Sequence, residues 1–294
     1  MNKLQNNKFS DETIQRINQN YRNALLKNLE LNNRINSVFK NTPPALAIVN
    51  PQIKDSLHRV NSLLDSPILK QAIKNIASAF RFIFPENIRT CLNNEIFTVD
   101  DLLNFIEEYS IGIYQVPKSD VLGKLINSAN NNEVAGVLLQ HKDELIDECL
   151  IILNKLEKDE DYSEIKNFAL ESISAFRSGH PTAAQTLLAV TLEKFINTFV
   201  PDIPLQKSLK TKRPETKSEE LLEGVPTADY LILAPIHNAF RYYKFNTHIV
   251  PQSFNRHATI HNPGIESINS INFIHALLLI TSCLRFISDH KKGS

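Results

Sequence analysis

The chain has 294 residues and carries 32 Lys plus Arg against 32 Asp plus Glu, so no global basic field draws it to nucleic acid, and any such contact needs a local patch. A hydrophobic share of 42% rules out a disordered chain, while only 7 glycines disfavour an all-β fold and leave no Gly-rich phosphate loop. Cys91, Cys149 and Cys283 lie far apart in apolar stretches and form no C-x-x-C pair, which predicts reduced core cysteines instead of a disulfide framework.

Hydrophobic periodicity predicts an all-α chain, a helical bundle throughout. A first helix starts at Ser10-Asp11-Glu12-Thr13, repeats Ile14, Ile17, Tyr21 and Leu25, and ends before Asn41-Thr42-Pro43-Pro44. Further helices are expected over 51–64 and 68–84, bounded by Pro67 and Pro85. Thr98-Val99-Asp100-Asp101 opens another, and residues 112–117 form a turn with some extended character. A short helix from Ser119 leads to one long helix over 133–156. The charged run 155–162 reads as a joint between an N-terminal helical region, 1–158, and a C-terminal helical domain, 163–290.

Beyond it, residues 163–177 and 182–200 form two antiparallel amphipathic helices around Ser178-Gly179-His180-Pro181, with Gly ending one and Pro starting the next. Residues 201–214 read as a loop bearing Lys207, Lys210, Lys212 and Arg213. One or two helical turns at 218–224 precede a helix over 228–240, interrupted at Pro235, and residues 242–254 are irregular. A last helix starts near 263–266, runs to about 288, and is apolar around much of its circumference, so it must be buried in the bundle or against a partner. Residues 1–22 hold no signal-type apolar run. The apolar stretch from 276 through 286 reads as too short and interrupted to cross a bilayer, which takes roughly 20 apolar residues, so a cytoplasmic chain with no membrane partner is expected.

The chemistry concentrates in Arg256-His257-Ala258-Thr259-Ile260-His261, just before that last helix. A helix start exposes unpaired N–H groups, and an Arg with two His beside it suits an anion such as phosphate. Histidine moves protons near neutral pH, and Arg neutralises charge that builds on a phosphorane. Together they suit RNA cleavage in which the 2′-hydroxyl attacks its own phosphate, with no metal or cofactor. The spacing is also open to a plainer reading, in which Arg256 pairs locally and the two His are ordinary hydrogen-bonding residues.

The surrounding text, Phe254 through Asn262 followed by Ile268-Asn269-Ser270-Ile271-Asn272 and an apolar helix, resembles the C-terminal end of HEPN-domain proteins (higher eukaryotes and prokaryotes nucleotide-binding). The upstream pair, with Gly179 to Ala184 and then Leu187, Leu188 and Glu193, looks similar to that family's antiparallel helices. The resemblance covers residues 163–288. It implies a bundle that dimerises, and in many members a metal-independent endoribonuclease of toxin, antiphage or RNA-processing systems; other members are inactive modules that bind a protein, nucleotide or RNA. RNA, a second copy of the chain and an inhibitory or regulatory protein are the partners implied.

By that resemblance Arg256 contacts the scissile phosphate and His261 is general acid or base. His257 orients Arg256 or shares the proton work. Asn262 stands where a Gly often follows the His, and Asn269 bonds the motif loop or caps the helix. Lys210, Lys212 and Arg213 join Asn262 and Asn269 as candidate substrate contacts, with a solvated basic loop as the blander reading. Glu193 reads either as a partner for Arg256 or, by preference, as a solvated helix charge. His237, His248 and His275 lack zinc-site spacing, and His275 reads as a core or interface histidine. Tyr242, Tyr243 and Phe245 beside Arg241 either stack unpaired bases or pack the loop onto the bundle.

Overall fold

The computed structural model describes residues 84–157, 159–211, 218–222, 225, 227–244 and 251–291. The helices expected over 10–39 and 51–64, and all but Phe84 of the one expected over 68–84, lie outside them, as do Lys212, Arg213, Phe245 and His248. Among the described residues every regular element is a helix and no strand forms.

Local signals explain most of the helix starts. Helix α1 (Glu86–Asn93) begins after Pro85. Helix α2 (Val99–Glu108) opens on a capping box, in which the Thr98 hydroxyl accepts from the Asp101 N–H while the Asp101 carboxylate accepts from the Thr98 N–H. Helix α3 (Ser119–Ile126) follows a buried extended segment, and α4 (Asn131–Gln140) is capped by Asn130. Helix α5 (Lys142–Lys155) and α4 replace the single long helix expected over 133–156. The break falls at His141, whose ring pairs with Glu144 and approaches the Lys124 ammonium at 3.1 Å. No Pro or Gly marks it; on its two sides α4 packs on α3 and on the last helix, and α5 packs on the last helix.

Helices α6 (Glu160–Arg177) and α7 (Pro181–Phe199) form the expected antiparallel pair. Gly179 ends α6 at φ 82°, and Pro181 starts α7. Of the charged run 155–162, Lys155 ends α5 and residues 160–162 open α6; these two helices pack on each other and on the same last helix inside one unit, Phe84–Ser294.

The stretch after α7 is not a plain loop. Asp202 caps a helix, α8 (Ile203–Leu209), by accepting the Leu205 N–H. A short α9 (Ser218–Leu221) leads to α10 (Thr227–Ala239), which runs through Pro235 without a break. Its residues 234–239 are buried, and Asn238 donates to the Ile106 and Tyr109 carbonyls, so packing holds the turn around the proline. Helix α11 (Arg256–His261) is separate from α12 (Ser270–Lys291), which starts later than expected because residues 262–269 form a turn closed by the Ser267 hydroxyl on the Asn262 carbonyl.

Helix α12 is the axis of the unit, packed by α4, α5, α6, α7 and α10. Phe273, Ile274, residues 276–280, Cys283 and Leu284 are all buried, so its apolar circumference is covered inside the chain. The apolar stretch is longer than the sequence reading allowed: Ser270–His290 contains a window of mean hydropathy 1.6 and has the length and composition to cross a membrane. Of its most apolar window, 78% is buried inside the bundle, as expected for a core helix. Cys91, Cys149 and Cys283 are buried free thiols.

One segment in the 112–117 turn is decided by α12. Residues 109–114 run non-helical and buried across it. A Cβ on Gly112 would meet the Leu278 carbonyl oxygen and Leu279 Cα at 2.6 Å, so the close approach of two backbones requires glycine there.

Candidate functional site

The Arg/His segment is held from three sides. Phe254 and Asn255 are extended and buried: Ser110 donates to the Phe254 carbonyl at 2.8 Å, and the Phe254 N–H donates to His275 Nδ1 at 3.4 Å. Asn255 is the N-cap of α11, taking the Ala258 N–H at 2.8 Å while its amide donates to the Arg241 carbonyl. In the middle of α11, Thr259 accepts from Gln185 on α7 at 2.8 Å. That same Gln185 amide donates to the Ser267 carbonyl at 2.7 Å, and its oxygen accepts the Asn269 N–H at 3.3 Å. A single buried side chain thus ties α7, α11 and the head of α12 together. It occupies the α7 face between Ala184 and Leu188, and a polar residue on an apolar face was the only sequence signal for it.

Helix geometry sorts the three site residues. At about 100° per residue, His257 and His261 are roughly 40° apart on one face, while Arg256 lies roughly 140° around from His261. The two imidazoles accordingly stack, with ring centroids 6.2 Å apart and planes 15° apart. The Arg256 guanidinium instead reaches α7 and forms an ion pair with Glu193, their side chains 17% and 35% exposed. Glu193, read from sequence as a solvated charge by preference, is therefore the partner of Arg256. The Arg256 Nε is buried with no hydrogen-bond partner among the described residues.

His257 is half-buried. Its Nε2 lies 3.3 Å from the Lys210 carbonyl, at the C-terminal cap of α8, and its ring meets Phe240 edge-on at 5.8 Å. Its pKa is lowered below 6.5, first by burial and then by the nearby Arg256 and His261 charges; the Lys210 carbonyl and Glu193 pull the other way. His261 is exposed at the end of α11.

The other candidates do structural work. Lys210 gives its carbonyl to His257, and its ammonium bonds Asn197. Asn262 donates to the Tyr243 hydroxyl at 2.7 Å, and Asn269 caps α12 by accepting the Asn272 N–H at 2.9 Å. That cap lies eight positions beyond His261, and the Arg/His residues sit on the separate helix α11, which Gln185 ties to the head of α12. His275 is a core histidine, with its pKa pushed down to about 3 by burial. Tyr242 is exposed at 49%.

An open, mostly apolar depression of about 710 Å³ lies at the head of α7, lined by Gly179, His180, Ala183, Thr186, Leu187 and Val190. Val190 precedes Glu193 by three positions, so both share one face of α7. Among the described residues no three His, Cys, Asp or Glu side chains converge as a metal site. No family model, no curated protein and no solved structure matches this chain.

Proposed function

We propose that the chain is a HEPN-like, metal-independent endoribonuclease that cleaves RNA by attack of a 2′-hydroxyl on the adjacent phosphate. The observation that supports this reading most directly is the placement of two stacked imidazoles on one face of α11, with His261 open to solvent and Arg256, paired with Glu193, near enough for its charge to act on His257. Such a set supplies what the reaction needs: groups that accept and donate protons near neutrality, and a fixed cation for the charge that develops on the phosphate. The Arg256–Glu193 pair holds that cation in place, so an incoming phosphate meets an ordered guanidinium.

The protein so read is cytoplasmic and homodimeric, a toxin or antiphage effector under an inhibitory or regulatory protein. The location is read from residues 1–22 and the interrupted apolar stretch at 276–286; the other features rest on the resemblance of residues 163–288 to HEPN proteins. One observation favours a second reading, an inactive HEPN-like module that binds a protein, nucleotide or RNA: the Arg256 guanidinium is already engaged by Glu193 and mostly covered.

A cleavage assay on mixed cellular RNA, with chelator present, separates the two. The enzyme reading expects cleavage by the wild type and its loss in both Arg256→Ala and His261→Ala, each still helical and with an unchanged sedimentation coefficient. Absence of cleavage by the wild type, or full activity in both variants, leaves the binding module.

A further inference from the structure

We propose that Lys124 is an acyl-acceptor lysine, its amine activated by His141 and Glu144, which takes an acyl group from a thioester. The site lies apart from the Arg/His segment, and its test needs no RNA.

The three side chains come from three places in the fold. Lys124 stands in the last turn of α3, His141 in the bend between α4 and α5, and Glu144 in the first turn of α5. The His141 backbone is held on both sides: its N–H donates to the Val137 carbonyl at 3.1 Å, and its carbonyl accepts the Leu145 N–H at 2.9 Å. Its ring Nδ1 lies 2.9 Å from a Glu144 carboxylate oxygen, and its Nε2 lies 3.1 Å from Lys124 Nζ. An ionised carboxylate only accepts and an ammonium only donates. The proton of the neutral ring therefore sits on Nδ1, and the Nε2 lone pair faces Nζ. A nucleophile within hydrogen-bond reach of a base, with that base oriented by a third group, is the arrangement that activates side-chain nucleophiles. The His141 side chain is only 14% exposed, whereas Lys124 and Glu144 are exposed, so the base is held in place and the nucleophile is open to reagent.

Other lysines meet acceptors of a different kind. Lys194 pairs with the Glu164 carboxylate at 2.7 Å, Lys142 lies 3.8 Å from the Asp143 carboxylate, and Lys166 donates to the Leu156 carbonyl at 3.1 Å. A carboxylate keeps an ammonium charged, and a backbone carbonyl takes no proton. Imidazole is the side chain that accepts and releases protons near neutral pH. The bend that carries His141 contains no Pro or Gly, and it sets this ring between α3 and α5.

The step balances with the thioester as its one co-reactant. Lys124 Nζ gives a proton to His141 Nε2, and the Glu144 carboxylate faces the imidazolium that forms. The amine lone pair attacks the thioester carbonyl carbon, and an N–C bond forms. As the C–S bond breaks, the departing thiolate takes a second proton from the nitrogen, and His141 passes the first to solvent. The products are an amide on Lys124, a free thiol and one proton. Acylation removes the lysine charge but leaves one N–H that can still donate to His141.

The test exposes the full chain to acetyl-CoA at pH 7.5 and follows each lysine by peptide mass spectrometry, with Lys142 and Lys194 as internal standards. Lys124 is expected to acetylate on the order of 10²-fold faster than either, as a positioned base contributes. His141→Gln is expected to bring Lys124 down to the rate of the standards, because the Gln oxygen still accepts from Nζ but is not a base. Glu144→Ala keeps the ring in the bend and is expected to slow Lys124 as well. In 15N-imidazole NMR it is expected to turn His141 from protonated at Nδ1 alone into a mixture of tautomers. Far-UV circular dichroism is expected to be unchanged in both variants, and the comparison of lysines within the wild type stands whether or not either variant folds. A wild type in which Lys124 reacts no faster than Lys142 and Lys194 would overturn the proposal. So would a loss under about tenfold in a folded His141→Gln chain, or a wild-type His141 proton on Nε2.

Discussion

Replacing Gln185 with Met removes the polar brace under α11 while nearly keeping the side-chain volume. Three hydrogen bonds are lost: to the Thr259 hydroxyl at 2.8 Å, to the Ser267 carbonyl at 2.7 Å, and from the Asn269 N–H at 3.3 Å. The Ser267 carbonyl keeps a second donor, the Asn272 amide at 3.0 Å. The Thr259 hydroxyl, on a residue 1% exposed, loses its donor, and the Asn269 N–H loses its acceptor. With about 1 kcal/mol net for each bond made in a folded protein, and about 1–3 kcal/mol for a buried polar group left without a partner, the expected loss is about 2–4 kcal/mol. Urea unfolding of the full chain, followed by far-UV circular dichroism, measures it. Under the ribonuclease proposal, RNA cleavage is expected to fall with it, because Gln185 holds Thr259, which stands between His257 and His261 in the sequence of α11. A loss under about 1 kcal/mol would refute the reasoning, since it would mean that the buried network contributes nothing net. Gln185→Ala adds a cavity and is expected to cost more than the Met variant.

Other outcomes follow from the same structure. Gly112→Ala forces a Cβ to within 2.6 Å of two α12 backbone atoms and is expected to cost at least about 3 kcal/mol; an unchanged thermal midpoint would contradict the close approach. Glu148 is buried, its Oε2 has no hydrogen-bond partner among the described residues, and burial raises its pKa from 4.5 to about 7. Below 4.5 the folded and unfolded states are both protonated; as pH rises from 4.5 to 7 the unfolded chain releases the proton first, so this group subtracts stability that stays lost above 7. Glu148→Gln is therefore expected to match the wild type at pH 4 and exceed it at pH 8 in urea unfolding, and equal stability at both would count against the buried carboxyl. Glu193→Ala leaves Arg256 partly buried without its counter-ion and is expected to cost about 1–2 kcal/mol, more than Glu193→Gln, in the same assay; no difference among the three proteins would show that the pair is held loosely.

What the sequence determined was what residues within a turn or two of each other decide. The Thr98 cap, the Gly179–Pro181 corner and the apolar last helix all follow from periodicity, caps and breakers, whereas the helix over 86–93 was not among the expected elements. Asp202 ahead of Ile203-Pro204 carried a start signal of the same kind, overshadowed by the basic residues after it. The position of the Arg/His segment before the final helix was legible too, because it is a matter of order along the chain. Its geometry was not. Whether Glu193 is solvated or paired depends on a contact 63 positions away, the seating of His257 on a carbonyl 47 positions away, and the brace of α11 on a glutamine 74 positions away. No Pro or Gly marks the bend at His141, and the glycine at 112 likewise answers to α12, not to its own flanks. Such contacts exist only once the helices have packed, since a side chain's partners across a bundle are set by crossing and register, which no local pattern of residues specifies.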